Sequence, residues 1–136
     1  MLFRSQDLRV VASGAAQEEA LYLRVAASVA ARTEAAEGRL GLVVGASAGG
    51  QLALIRARAG ELPFLIPGVG AQGGNLSAVL QDGGVTRGAA VSSSARGLLV
   101  NIGRGITGGA EAARDPGAHL AERAAEWGSR LAILNP

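Results

Sequence analysis

The run Phe64-Leu65-Ile66 passes directly into Pro67-Gly68-Val69-Gly70-Ala71-Gln72-Gly73-Gly74, an octet in which four residues lack a side chain. The apolar triplet reads as a short buried strand. The octet can turn sharply and aim several backbone N–H groups at one point, an arrangement that suits a phosphate group. A second strand-like run, Leu98-Leu99-Val100, leads into Gly103-Arg104-Gly105 and puts a guanidinium in the same kind of position. Two consecutive strand ends, one a nest of amides and one an arginine, point to a single anion site.

The flanking pattern supports this placement. Residues 15–37 are Ala-rich, with Leu21, Val25 and Val29 on one stripe and Gly38 as a stop, which predicts a helix. Residues 40–44 read as a buried strand and 45–50 as a small-residue loop. Residues 51–59 read as a helix with Leu52, Ile55 and Ala59 facing inward. A strand over 63–66 precedes the glycine octet, and a short helix over 75–80 follows it, with Asn75 as N-cap. Residues 82–94 read as an irregular connection and 97–101 as a third strand. Asp115 caps a last helix with Pro116 at its first position, running to about 134, with Trp127, Leu131 and Leu134 on one face. The order is a helix followed by three strand–helix units, an α/β pattern with parallel strands. The strands are near-continuous apolar runs, as expected where both faces are covered. Their Gly-rich loops share one rim, where ligands bind in such folds.

Composition narrows the function classes. The 136 residues fit one domain, and an apolar fraction of 49% excludes disorder for most of the chain. All thirteen basic side chains are arginine, and they are scattered among acids. Most therefore read as solvated surface, and no nucleic-acid partner is expected. The absence of cysteine excludes disulfides and thiolate metal sites and fits a reducing, cytoplasmic compartment. A single histidine excludes a His-rich metal site, and no cofactor is expected. No apolar run is long enough to span a bilayer. Met1–Ser5 form no signal peptide, and Leu2-Phe3-Arg4-Ser5 resembles a reading frame of a common sequencing adapter. We expect residues 1–5 to be foreign and residues 6–136 to be a partial domain whose N-terminal part is missing.

Other motifs compete with the phosphate reading. Gly68-x-Gly70-x-x-Gly73 matches the dinucleotide fingerprint, but the acidic residue expected about 20 positions on is absent. Gly45-Ala46-Ser47-Ala48-Gly49 matches a nucleophile elbow, with Asp115 and His119 following in the chain order of a serine esterase. Asp115 and His119 fall one turn apart at the start of one helix, where the acid is poorly placed to orient the base, and no His-Gly-Gly oxyanion segment precedes Ser47. A different phosphate-binding barrel and a non-catalytic binding domain also remain open.

The octet, together with Gly41 to Ala46, Leu62 to Ile66 and Gly97 to Ile106, resembles orotidine 5′-phosphate decarboxylase, in particular its bacterial subfamily with Pro-Gly-Val-Gly-Ala-Gln-Gly-Gly. The resemblance covers most of the chain after Ser5. It implies the C-terminal part of a (β/α)₈ barrel, from the helix after strand five to the last helix, since a whole barrel takes roughly 250 residues. By position, it implies that Gln72 and Arg104 grip the substrate phosphate, helped by amides around Gly70, Gly73 and Gly103. Many members have a serine where this chain has Gly103. The resemblance further implies orotidine 5′-phosphate and UMP as ligands, a homodimer for the full-length protein, and a role in pyrimidine biosynthesis with no membrane partner. Decarboxylation in the family resembles a charge network of Asp and Lys. With no lysine, this chain is expected to hold no catalytic residue and to be inactive alone.

Overall fold

The computed structural model describes residues 9–11, 18–33, 35, 40–70, 73–84 and 97–132. Strands β1 (Arg9–Val11) and β2 (Glu18–Ala20) form an antiparallel pair that leads into helix α1 (Leu21–Arg32). Then come β3 (Leu42–Val43), a 3₁₀ segment (Ala46–Gln51), α2 (Leu52–Ala59), β4 (Phe64–Pro67), α3 (Leu76–Gly83) and β5 (Leu98–Asn101). The chain continues through the one-turn α4 (Arg104–Thr107) and a second 3₁₀ turn (Ala110–Ala112) to α5 (Pro116–Arg130).

Two helix starts follow from side-chain chemistry as the sequence suggests. The Asn75 Oδ1 accepts from the Ala78 N–H at 3.2 Å and opens α3. The Asp115 Oδ1 accepts from the Ala118 N–H at 3.0 Å and opens α5. Pro116 fits the first turn because a backbone N–H there has no helical partner.

Strands β3, β4 and β5 form a parallel sheet in that order, with Leu42, Phe64 and Leu98 in one register row and Val43, Leu65 and Leu99 in the next. Phe64 and Ile66 are wholly buried in a core with Leu52, Ile55 and Val79 of the helices. On the other face, Val43 is 71% exposed and Leu99 67%. The expectation of two covered faces is therefore corrected: among the described residues, helices cover only one. An apolar run marks a strand that needs cover on both sides, but it does not supply that cover.

Helix α1 also departs from the expected span. Residues 18–20 are extended and pair with β1, so the helix begins at Leu21. Its fully buried residue is Ala26, while Val25 of the expected stripe is about half exposed. Helix α2 buries Leu52, Ile55 and Ala59 as expected. Helix α3 extends to Gly83, so it takes in the start of the expected irregular connection, whose residues 85–94 lie outside the described residues. Helix α5 ends at Arg130, and Leu134 also lies outside them, as do residues 1–5.

Arg56 stands apart from the solvated arginines. It is 8% exposed, and its Nε and Nη2 donate to the Gly83 carbonyl at 2.9 and 2.6 Å. Its Nη1 donates to the carbonyls of Gly60 and Leu62 at 2.8 and 2.7 Å. The guanidinium lies 3.5 Å from the centroid of the Phe64 ring, within cation–π range. Desolvation lowers its pKa to about 10, so the group remains charged at neutral pH. Backbone carbonyls replace its lost hydration, and in doing so it ties α2, the end of α3 and the segment before β4 into one unit.

Candidate functional site

Strands β4 and β5 run parallel and end level, with Pro67 opposite Asn101, so the glycine octet and the Gly103-Arg104-Gly105 turn leave the sheet on the same side. The octet folds back on itself. Val69 bridges Gly74, the Gly74 N–H donates to the Gly68 carbonyl at 3.2 Å, and the Gly70 N–H donates to the Gly74 carbonyl at 3.3 Å. The Gly73 N–H donates to the Gly70 carbonyl at 2.9 Å. The amides of Gly70 and Gly73 are thus used inside the loop, and the expected nest is correspondingly smaller. Ala71 and Gln72 lie outside the described residues.

At the end of β5 the Gly103 carbonyl accepts from the N–H groups of Ile106 and Thr107 at 2.9 and 3.1 Å, which starts α4. Arg104 occupies the first position of that turn and is exposed. Its guanidinium makes no hydrogen bond or ion pair with any described residue. Guanidinium can give two parallel charge-assisted bonds to phosphate oxygens.

One side chain joins the two loops. The Trp127 indole, 4% exposed, presents one edge to both. A Cβ added to Gly70 would lie 2.9 and 3.0 Å from Cζ2 and Cη2. One added to Gly105 would lie 2.9 and 3.1 Å from Nε1 and Cε2. These are four consecutive ring atoms, so Gly70 and Gly105 sit side by side along one indole edge. The Trp127 Nε1 also donates to the Gly105 carbonyl at 3.2 Å. Gly70 has φ +79°, a conformation that side chains disfavour, and its missing side chain also makes room for the indole. The loop after β3 joins the same group, because Ala46 packs directly against Gly74. Sequence reasoning placed Trp127 on one helix face with Leu131 and Leu134 but missed its role as the spacer between loops. No local motif marks that role.

The esterase constellation does not assemble among the described residues. Ser47 is exposed on the loop after β3, the Asp115 carboxylate caps α5, and the His119 Nε2 lies 2.9 Å from the Gly108 carbonyl. No described group of three His, Asp or Glu residues could hold a metal, and no described helix is long and apolar enough to cross a membrane. An apolar cleft of about 310 Å³ runs between α1, β3 and α2, lined by Tyr22, Val25, Val43, Val44 and Ile55 among others. It follows the edge of β3 that pairs with no described strand, and neither Gly70 nor Arg104 lines it.

No protein-family model matches the chain. The orotidine 5′-phosphate decarboxylase of Halobacterium salinarum (strain ATCC 29341) is 44% identical over 109 residues, covering 80% of this chain and 40% of that protein. Its counterpart from Bordetella avium (strain 197N) is 42% identical over 92 residues, covering 67% of this chain and 31% of that protein. The chain therefore spans less than half the length of these curated relatives. Among solved structures, Leishmania donovani OMP decarboxylase matches with a TM-score of 0.61 and 35% identity over 96% of this chain and 43% of that one. Leishmania donovani UMP synthase matches with a TM-score of 0.62 and 38% identity over 90% of this chain and 23% of that one. The three parallel strands and their helices form part of a TIM barrel.

Proposed function

Since the chain is homologous to part of the orotidine 5′-phosphate decarboxylases, we propose that it carries the phosphate-binding half of such an enzyme. In this reading Gln72 and Arg104 hold the phosphate of orotidine 5′-phosphate or UMP, and the backbone around Gly70, Gly73 and Gly103 shapes the site. The observation that carries the reading is the shared indole edge, which puts the octet and the Arg104 turn beside each other. A phosphate remote from the reacting bond can supply binding energy that is used at the carboxylate. The same reading assigns the parent enzyme to pyrimidine biosynthesis in the cytoplasm, as a homodimer that needs no cofactor, nucleic acid or membrane.

Arg104→Ala in the full-length parent is expected to raise the dissociation constant of uridine 5′-monophosphate tenfold or more, since a hydrogen bond to a charged group is worth roughly 1.5–3 kcal/mol. Calorimetric titration checks this, and an unchanged constant removes Arg104 from the site.

The chemical half is a separate matter. The sequence contains no lysine, and an arginine, permanently protonated, cannot deliver a proton to a carbanion. The isolated chain is expected to release no carbon dioxide from orotidine 5′-phosphate. Turnover by a purified, contaminant-free sample would overturn that division of labour.

A further inference from the structure

We propose that Arg123 is a positioning residue for Arg104, acting through the Gly105 carbonyl; the inference rests on the phosphate reading above. The residue following Arg104 has its carbonyl gripped by three donors from α5. Arg123 supplies Nε at 3.1 Å and Nη2 at 3.0 Å, and Trp127 supplies Nε1 at 3.2 Å. Arg123 and Trp127 are four residues apart and share one face of the helix. Helix α4 has only four residues, too few to hold a direction by its own hydrogen bonds. The direction in which the neighbouring Arg104 leaves the backbone is therefore set from outside, by α5.

The gripping guanidinium has partners on its own helix as well. Its Nη1 donates to the Glu126 Oε2 at 2.5 Å, and the other carboxylate oxygen lies 3.8 Å from the Arg130 Nη1. The Arg130 guanidinium in turn stacks over the Trp127 ring at 3.9 Å. One helix face thus places Arg104 through Gly105 and bears on the octet through Gly70. A methionine at 123 would keep most of the packing stem but remove both donors. A lysine would keep the charge and one donor direction, without the fork that closes on the carbonyl.

The test uses Trp127, the only tryptophan of the chain, as the reporter. Its emission is followed while inorganic phosphate, and separately uridine 5′-monophosphate, is titrated into the unsubstituted chain, Arg123→Met, Arg123→Lys and Arg104→Ala. Arg123→Met is expected to weaken both probes by the same factor, about tenfold, and Arg123→Lys by an intermediate factor. A purely structural brace would lower the unfolding midpoint and leave the dissociation constants of the folded protein alone. If Arg104→Ala weakens binding while Arg123→Met stays within twofold of the parent, the positioning role is overturned and the phosphate site stands. If Arg104→Ala has no effect, or the unsubstituted chain binds neither probe, the phosphate reading falls and takes this inference with it. A loss confined to the nucleotide overturns the positioning role, because Arg123 acts only on the phosphate end. Should Arg123→Met fail to fold, Arg123→Lys decides, and parental affinity in that variant overturns the role.

Discussion

Trp127→Ala is expected to destabilise the chain by about 3–5 kcal/mol, the range for truncating a buried aromatic ring to a methyl group. Trp127 is 4% exposed, so nearly the whole ring volume becomes cavity. The Gly105 carbonyl also loses one of its three donors, and the ring beneath Gly70 disappears. Collapse into the space is hindered on the Gly70 side, where the backbone is held by a bond to Gly74. The shift in urea midpoint at constant slope measures the loss. Trp127→Phe separates the causes: it restores most of the packing but cannot donate to Gly105. A phenylalanine variant as unstable as the alanine one would assign most of the effect to the single hydrogen bond, contrary to the packing argument.

Arg56→Met is expected to cost about 2–6 kcal/mol, because the buried carbonyls of Leu62 and Gly83 lose their Arg56 donors and each such unsatisfied group costs about 1–3 kcal/mol. Water has little access to Leu62 and Gly83, whereas the exposed Gly60 can turn to solvent when its Arg56 donor is removed. Burial by itself acts in the opposite direction. A cation whose pKa is lowered to about 10 by burial opposes folding while charged, and that opposition lifts only as the pH rises above 10. Four hydrogen bonds and the Phe64 ring must outweigh it for the native state to keep this residue buried. The difference in stability between the parent and Arg56→Met is therefore expected to be flat from pH 6 to 9. A gap that changes sign or closes within that window would show that the guanidinium is not the charged keystone described above.

Much of the fold was legible because its signals are local. The caps at Asn75 and Asp115 were readable because each is a single side chain bonding a backbone three residues away. The strand before the octet was readable from apolar run and glycine punctuation alone. The start of α1 was not, because residues 18–20 are drawn into extended pairing by the strand Arg9–Val11 upstream, which no local signal marks. Arg56 was not, because nothing in Ile55-Arg56-Ala57 reveals that Gly83 will close over it. The same holds at the candidate site. Octet and arginine could be named from residue types, but their neighbourhood depends on Trp127, over 50 positions from one and over 20 from the other. That distance is crossed only by tertiary packing.

The exposed Val43 and Leu99, with the half-buried Leu65 between them, carry a further consequence. Leaving a large aliphatic side chain in water forgoes about 1.5–3 kcal/mol relative to burying it, and whole domains are held by only about 5–15 kcal/mol. Among the described residues β3 and β5 each pair with β4 alone, so their outer flanks present N–H and C=O groups beside that oily row. A strand added along either flank would meet those backbone groups, whereas shielding the oily row takes an element laid across the face, so the two gains come from different neighbours.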